Sequence, residues 1–155
     1  MKKILIQTLI ISLFFISFNA TAEIKHIKDG NVDAKVKLVV FESLTCSHCG
    51  DFHRDIYPKL KTDFIDKNLI SIEYRNFPLD IAAFNAAKIA HCRNDGKSEI
   101  LHHLYNNQSS WVRGSTIEDL NKNLKRVVQE SGFKLDFDNC IANSKIEDFI
   151  LEDRI

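Results

Sequence analysis

Two cysteines three positions apart, Cys46 and Cys49, are the residues of this 155-residue sequence best suited to chemistry. They follow an apolar, β-branched run and open a segment with a helical pattern, so they stand where a strand ends and a helix begins. Cysteines with this spacing lie about one helical turn apart, which can bring their α-carbons within the roughly 4.4–6.8 Å that a disulfide requires. The pattern predicts a redox-active dithiol.

The first cysteine is predicted to be the reactive one. Unpaired N–H groups and the dipole at a helix N-terminus stabilise an anion, which lowers the pKa of a thiol and makes its thiolate a good nucleophile and leaving group. His48, between the two cysteines, is a second candidate stabiliser, because a nearby imidazole or imidazolium favours the thiolate of Cys46. Cys49, one turn further in, is predicted to be the resolving thiol.

Other uses of the Cys46-Ser47-His48-Cys49 motif fit the sequence less well. A zinc site usually takes four ligands from two such pairs, whereas this chain has a single CxxC, and Cys92 and Cys140 stand alone. A c-type haem requires histidine directly after the second cysteine, where Gly50 stands. An inert structural disulfide is the plain alternative, but a strand-to-helix corner is where thiol reactivity is raised. No metal, haem or nucleotide cofactor is predicted.

The N-terminus is typical of a signal peptide. Lys2 and Lys3 form a basic start, residues 4–18 are mostly apolar, and Ala20-Thr21-Ala22 is an A-x-A cleavage sequence, which predicts a signal peptide over residues 1–22. An uncleaved anchor is the alternative, although the apolar stretch is short for a membrane span. Export leads to a compartment where disulfides persist, and we predict a periplasmic protein.

The composition is that of one globular domain. With 45% apolar and 27% charged residues, the chain is long enough to bury a core but too short for two ordinary domains. Its formal net charge is zero, so nothing in the sequence points to nucleic acid or to an acidic substrate.

The elements around the motif predict a βαβ unit. Residues 36–42 have the continuous apolar character of a buried strand in a parallel sheet, after a short edge strand around residues 24–27 and a turn at residues 29–31. The helix after Cys46 is predicted to continue through a kink at Pro58, with a core stripe at Phe52, Ile56, Leu60 and Phe64. Alternating apolar residues from Ile70 predict the second strand. The CxxC would then lie at the carboxyl end of the first strand, where open α/β sheets place their sites.

Beyond residue 80 the pattern is helical only. Asp80 is predicted to cap a helix that ends near Arg93, and a second helix is predicted over residues 98–108. Three further helices are predicted to begin at the capping-box sequences Ser115-Thr116-Ile117-Glu118 and Ser144-Lys145-Ile146-Glu147 and at Asp136. Residues 23–79 are therefore assigned to an α/β part, and residues 80–155 to a helical insertion.

Several segments resemble the DsbA-like thiol–disulfide oxidoreductases, a family with the thioredoxin-like fold that includes alphaproteobacterial members. These segments are Thr45-Cys46-Ser47-His48-Cys49 with Phe52-His53, Tyr74 to Asp80, Ala90-His91-Cys92, Gln108 to Val112 with Trp111, and Phe137-Asp138-Asn139-Cys140. The resemblance covers residues from about Val36 to Ile155. It implies that Cys46 forms the mixed disulfide with substrate and that Cys49 resolves it. Reduced exported proteins would be the substrates, and a membrane quinone-linked reoxidase would restore the disulfide.

The sequence departs from the family pattern in three ways. Ser47 stands where strong oxidants most often have proline, so it lacks the fixed φ of that residue. Val40 occupies the position, six residues before the first cysteine, where the family often has an acid that helps proton transfer. Glu42 is predicted to face the same side of the strand as Val40 and is a candidate substitute. The cis-proline segment and last strands of the family are not present by Ile155, which predicts a truncated sequence and an unpaired strand edge.

Two functional hypotheses follow. The first is an exported enzyme that introduces or exchanges disulfides in exported proteins. The second is a redox-inactive remnant or binding module that lacks the cis-proline loop. No substrate-binding residue is assigned.

The remaining cysteines and histidines are given structural roles. Cys92 and Cys140 are predicted to form a structural disulfide in an oxidising compartment, a pairing that members of the family often carry, and two buried reduced thiols are the alternative. His53 is predicted to be an ordinary helical residue, although it could face the same side of the helix as Cys49. Three other histidines, His91, His102 and His103, are also predicted to be structural. Trp111 is predicted to be a core anchor.

Overall fold

The computed structural model describes residues 23–153, so the predicted signal peptide lies outside the described residues. Three strands form a sheet in the order β1-β3-β2: Ile27–Gly30 (β1), Val36–Glu42 (β2) and Ile70–Asn76 (β3). β2 and β3 are parallel, with Val36 opposite Ile70, and β1 is antiparallel to β3. The parallel pair and the helix between its strands confirm the predicted βαβ unit.

The first strand begins later than predicted. It includes Asp29 and Gly30, which we had assigned to a turn, and the turn follows at Asn31, whose carbonyl accepts the Ala34 N–H at 2.9 Å. Gly30 has a φ of +86°, and a Cβ on it would stand 2.8 Å from the carbonyl oxygen of Ile70. The turn-forming residue is therefore used to bring β1 against β3, a close approach that only glycine permits.

The prediction that β2 is buried on both faces is wrong. Val39 is 54% exposed and Phe41 is 60% exposed, whereas Leu38, Val40 and Glu42 point inward. β2 is an end strand of the sheet, and residues 23–153 place no element over its outer face or against its outer edge. The unpaired edge of β2 agrees with the prediction. The apolar residues of β2 also predict that both of its faces are covered, but the described residues cover only one face.

The helix after the CxxC, which we call α1, runs over residues 47–65. Its α-helical turns at Ser47–Asp51 and Tyr57–Leu60 alternate with π-helical turns at Phe52–Ile56 and Lys61–Ile65. The predicted core stripe is wrong for Ile56 and Phe64, which are 52% and 44% exposed. π-helical turns hold more residues than α-helical turns, so an i, i+4 stripe drifts away from the core. The residues that pack inward are instead His53, Tyr57, Leu60 and Ile65.

Six helices follow within residues 23–153, which confirms the predicted helical segment. They are Ile81–His91 (α2), Glu99–Asn106 (α3), Gln108–Trp111 (α4), Ile117–Glu130 (α5), Phe137–Ala142 (α6) and Ser144–Glu152 (α7). Asp80 and Asp136 cap α2 and α6 as predicted, each accepting a hydrogen bond from the backbone N–H three residues on. The caps of α5 and α7 are Thr116 and Asn143, one residue away from the predicted Ser115 and Ser144. The cap must have an extended backbone, and these two residues have it.

One hydrophobic core joins the sheet to these helices. Trp111 is fully buried, and its Nε1–H donates to the carbonyl of Leu104 at 3.0 Å, which confirms its role as a core anchor. Cys92 and Cys140 are joined by a disulfide across 48 positions, which links the end of α2 to α6. Within residues 23–153 no helix is both long and apolar enough to span a membrane.

We expect loss of this disulfide to destabilise the fold. The double variant Cys92→Ser/Cys140→Ser should lower the free energy of unfolding by about 2–4 kcal/mol, because the bond restricts the unfolded chain. Urea unfolding measures the difference, with Cys46→Ser/Cys49→Ser introduced into both proteins so that they differ in a single disulfide. A double variant as stable as its parent would contradict a structural role for the bond.

Candidate active site

Cys46 lies where β2 leads into α1. It is the N-cap residue of the helix, with an extended backbone, and its carbonyl accepts the N–H of Gly50 at 3.1 Å. The backbone N–H of Cys49 lowers the pKa of the Cys46 thiol most, and the Cys49 thiol and the backbone N–H of His48 lower it further, against an opposing effect of burial. The predicted placement of this sulfur at a helix N-terminus is what the structure provides.

Cys49 has the opposite environment. Burial raises the pKa of its thiol to about 11, and the charges of Cys46 and Glu42 act in the same direction, against a smaller lowering by the backbone of Ser43. The structure holds both cysteines as free thiols. One motif therefore contains a thiol that ionises readily beside a thiol that stays protonated.

His48 differs from the prediction in how it reaches the motif. Its imidazole is 94% exposed, and Nδ1 lies 3.7 Å from a carboxylate oxygen of Asp51. It is the backbone N–H of His48 that contributes to the lowered pKa of the Cys46 thiol, less than that of Cys49 does. A contribution from the imidazole itself stays a prediction.

Gln108, the first residue of α4, connects the helical segment to the CxxC motif by hydrogen bonds. Its Nε2 donates to the carbonyls of Leu44 and Cys46, both at 2.9 Å. Its Oε1 would lie 2.5 Å from a Cβ on Gly50, so the glycine leaves room for the amide. Sequence reasoning placed Gln108 in a resembling segment but gave it no role, because 62 positions separate it from Cys46.

Behind Cys49, Glu42 and His53 form a buried pair. Glu42 Oε2 and His53 Nε2 are 2.7 Å apart, and the two side chains are 5% and 0% exposed. Burial raises the pKa of Glu42 to about 8 and lowers the pKa of His53 to about 4. Both shifts favour the neutral forms, so the pair is a carboxylic acid hydrogen-bonded to a neutral imidazole at pH 7. The prediction that His53 is an ordinary helical residue is therefore wrong about its environment.

The buried pair continues to two further residues. His53 Nδ1 lies 2.9 Å from His102 Nδ1, and His102 Nε2 lies 2.9 Å from Asp29 Oδ2. Burial tends to raise the pKa of Asp29, but hydrogen bonds from His102, Ser98 and Tyr74 lower it to about 2. We refer to Glu42, His53, His102 and Asp29 as the acid–imidazole chain. Its groups are arranged in a line, and within residues 23–153 no cluster of three potential ligands could hold a metal ion.

We expect Cys46 to react with alkylating agents long before Cys49. At pH 8 the Cys46 thiol, with its lowered pKa, is far more ionised than the Cys49 thiol, whose pKa is about 11, and the thiolate is the reactive species. Brief treatment of the reduced protein with iodoacetamide, followed by peptide mass mapping, measures the two rates. Preferential modification of Cys49 would contradict this assignment, and unfolding in urea should abolish the difference.

We expect Gly50→Ala to be destabilising only while Gln108 is present. The added methyl group would displace an amide held by two hydrogen bonds, which should cost about 1–3 kcal/mol in free energy of unfolding. In a Gln108→Ala background the same change should be neutral or stabilising, since alanine is favoured over glycine in helices by about 0.5–1 kcal/mol. Urea unfolding of the four proteins in this double-mutant cycle tests the reversal of sign, and equal costs in both backgrounds would exclude it.

A family model described as thioredoxin matches residues 22–154. Among solved structures, alpha-DsbA1 of Wolbachia pipientis is similar with a TM-score of 0.74 and 32% sequence identity, over 83% of this chain and 65% of that one. BdbD of Bacillus subtilis shares the fold, with a TM-score of 0.67 and 23% identity, over 83% of this chain and 71% of that one.

Curated relatives agree with these matches. A Rickettsia bellii protein, provisionally named a protein-disulfide oxidoreductase, is 30% identical over 125 residues, which are 79% of this chain and 47% of that protein. Disulfide bond formation protein D of Bacillus subtilis is 27% identical over 127 residues, 76% of this chain and 57% of that protein. The chain thus spans about half the length of the curated relatives it matches. With the CxxC at the corner of β2 and α1, it belongs to the DsbA-like family of proteins with the thioredoxin-like fold.

Proposed function

We propose that this chain carries out thiol–disulfide exchange on exported proteins, with Cys46 and Cys49 as the redox pair and oxidation of substrate thiols as its main direction. The observation that carries the proposal is the opposite shift of two thiol pKa values within one CxxC, downward for Cys46 and upward for Cys49. An easily ionised, partly exposed thiol is suited to attack substrates and to leave from them, and a protonated, more buried thiol is suited to resolution.

In the oxidising direction, a substrate thiolate attacks the sulfur of Cys46 in the Cys46–Cys49 disulfide. A new S–S bond joins Cys46 to the substrate, and the old bond breaks with its electron pair passing to the sulfur of Cys49. A second substrate thiolate then attacks the substrate sulfur and displaces Cys46 as a thiolate. The substrate gains a disulfide, and the enzyme is left as a dithiol.

The departing Cys49 sulfur needs a proton, because burial makes its thiolate unfavourable. Glu42 is the group we assign as the donor. It is protonated at neutral pH, since its pKa is raised to about 8. Its ionised form raises the pKa of the Cys49 thiol, which also contacts the backbone of the next residue, Ser43. In reoxidation the same carboxylate accepts the proton from Cys49. Glu42 thus takes the role that the sequence comparison suggested for it in place of Val40.

Export and reoxidation complete the proposal. The basic and apolar residues before the A-x-A sequence at Ala20-Thr21-Ala22 support export to the periplasm. The relative from Bacillus subtilis is named for disulfide bond formation, which supports an oxidising role. A membrane quinone-linked reoxidase would accept the electrons from the reduced pair.

We expect a Cys49→Ala variant to accumulate mixed disulfides with exported proteins, because the resolving thiol is missing and Cys46 stays bound to its substrate. Non-reducing electrophoresis of acid-quenched cells, followed by mass spectrometry of the adducts, measures this. Cys46→Ala is the matched control and should form none. An absence of adducts through Cys46 would favour the redox-inactive alternative, and a strongly reducing midpoint in a glutathione titration of the wild type would contradict the oxidising direction.

A further inference from the structure

We propose that His53, His102 and Asp29 form a proton relay that connects Glu42, beside the resolving thiol, to the β1 side of the sheet. The inference rests on the proposed function, in which the Cys49 sulfur gains and loses a proton during each exchange. It adds a route for that proton and assigns positioning roles to two histidines outside the CxxC.

The four groups are joined by three hydrogen bonds without a gap. The distances are 2.7 Å from Glu42 Oε2 to His53 Nε2, 2.9 Å from His53 Nδ1 to His102 Nδ1, and 2.9 Å from His102 Nε2 to Asp29 Oδ2. The residues come from β2, α1, α3 and β1, respectively. Both nitrogens of each imidazole are used, which is the arrangement that allows a histidine to receive a proton on one side and release it on the other.

The chain leads from the interior toward solvent. The side chains of His53 and Glu42 are 0% and 5% exposed, whereas those of His102 and Asp29 are 16% and 15% exposed. Within residues 23–153 no lysine or arginine hydrogen-bonds to any of the four groups. No permanently charged side chain therefore fixes the protonation state of a group in the chain through a hydrogen bond.

The charge on Asp29 sets the direction of every bond. Asp29 is ionised above about pH 2, so it accepts from His102 Nε2–H. A neutral His102 then has an unprotonated Nδ1, which accepts from His53 Nδ1–H. A neutral His53 then has an unprotonated Nε2, which requires Glu42 to donate through its own O–H. The hydrogen-bond pattern and the burial of Glu42 thus agree that the carboxyl group is protonated.

A proton can cross this chain by reversal of its bonds. When the Cys46–Cys49 disulfide is restored, the Cys49 thiol gives its proton to Glu42 Oε1, which has no hydrogen-bond partner among the described residues. At the same time Glu42 Oε2–H passes to His53 Nε2, His53 Nδ1–H passes to His102 Nδ1, and His102 Nε2–H passes to Asp29. When a substrate opens the disulfide again, the reversed bonds carry the proton back to Cys49 in the opposite order. Each imidazole changes tautomer and remains neutral, so no charged imidazolium need be stabilised in the interior. The number of protons on the two histidines is unchanged, and one proton has moved from the Cys49 sulfur to Asp29, at the more exposed end of the chain.

Other ionisable groups face the chain but do not compete for its proton. Tyr105 on α3 stacks on His53 with ring centroids 3.9 Å apart, Tyr74 on β3 donates to Asp29 at 2.9 Å, and Tyr57 on α1 packs on His102. Burial raises the pKa of all three phenols, so they remain protonated. The remaining ionisable neighbour of Glu42 is the Cys49 thiol.

The test uses the rate at which glutathione opens the Cys46–Cys49 disulfide, corrected for ionisation of the attacking thiol and measured over a pH range that brackets 8. In the wild type this rate should fall as Glu42 loses its proton, near pH 8. In His102→Phe, His53 loses its acceptor at Nδ1 and can donate Nε2–H to Glu42, which stabilises the carboxylate. The inflection should therefore move down by about one pH unit, a loss of about threefold in rate at pH 7.5.

His103→Phe is the matched control, because His103 lies on the same helix but bonds the carbonyl of Val127 outside the chain. It should keep the wild-type profile. A wild-type profile in His102→Phe, together with loss of the inflection in Glu42→Gln, would overturn the relay and leave Glu42 as an isolated acid. Retention of the inflection in Glu42→Gln would overturn the role of Glu42 in the proposed function. A wild-type disulfide that does not exchange at all would overturn the function itself.

A second measurement requires no variant. Nitrogen-15 NMR of the imidazoles in the reduced wild-type protein should place the proton of His53 on Nδ1 and that of His102 on Nε2 at neutral pH, where Glu42 is protonated. Opposite tautomers would overturn the relay whatever the exchange rates show.

Discussion

The structure depends on one placement, that of Cys46 as the N-cap of α1 directly after a strand of the sheet. An N-cap residue lies beside N–H groups that the helix cannot satisfy itself, and here those of Cys49 and His48 lower the pKa of the Cys46 thiol. This is possible only while β2, the loop at residues 43–45 and the first turn of α1 keep their relative positions. Gln108 holds that loop through two carbonyls, and Thr45 donates to Asp80, the cap of α2, at 2.7 Å.

The second constraint is burial behind the motif. Glu42 and His53 are buried and Cys49 is half-buried, and burial shifts each of them toward its neutral form. The two sulfur atoms of the CxxC are one helical turn apart, yet one faces backbone N–H groups and the other faces a protein interior. The difference between these environments makes two chemically identical side chains unequal, which thiol–disulfide exchange requires.

The helical segment is part of the site as well as of the core. α3 supplies His102 and Tyr105, α4 supplies Gln108 and Trp111, and α2 is tied to α6 by the Cys92–Cys140 disulfide. The boundary drawn near residue 80 separates two kinds of secondary structure, but the hydrophobic core crosses it. Residues assigned to the insertion therefore control the geometry and the ionisation of groups in the βαβ part.

The sequence alone determined the features that depend on local chemistry. The spacing of Cys46 and Cys49, the strand before them and the capping residues Asp80 and Asp136 are short-range signals, and they predicted the βαβ unit, the reactive corner and the helices that follow. Shifts of one residue at the caps of α5 and α7 arose because neighbouring side chains compete for the same role and backbone geometry decides between them.

Tertiary structure decided the rest, because those features depend on residues far apart in the chain. The π-helical turns of α1 rotated Ile56 and Phe64 outward and turned His53 inward. The 49 positions between His53 and His102, and the 73 between His102 and Asp29, gave no spacing signal for the acid–imidazole chain. From the sequence alone, a histidine indicates only a side chain whose ordinary pKa is near neutral. Only the tertiary structure brings the four side chains of the acid–imidazole chain, which come from four different elements, within hydrogen-bond distance of one another and buries them fully or in part.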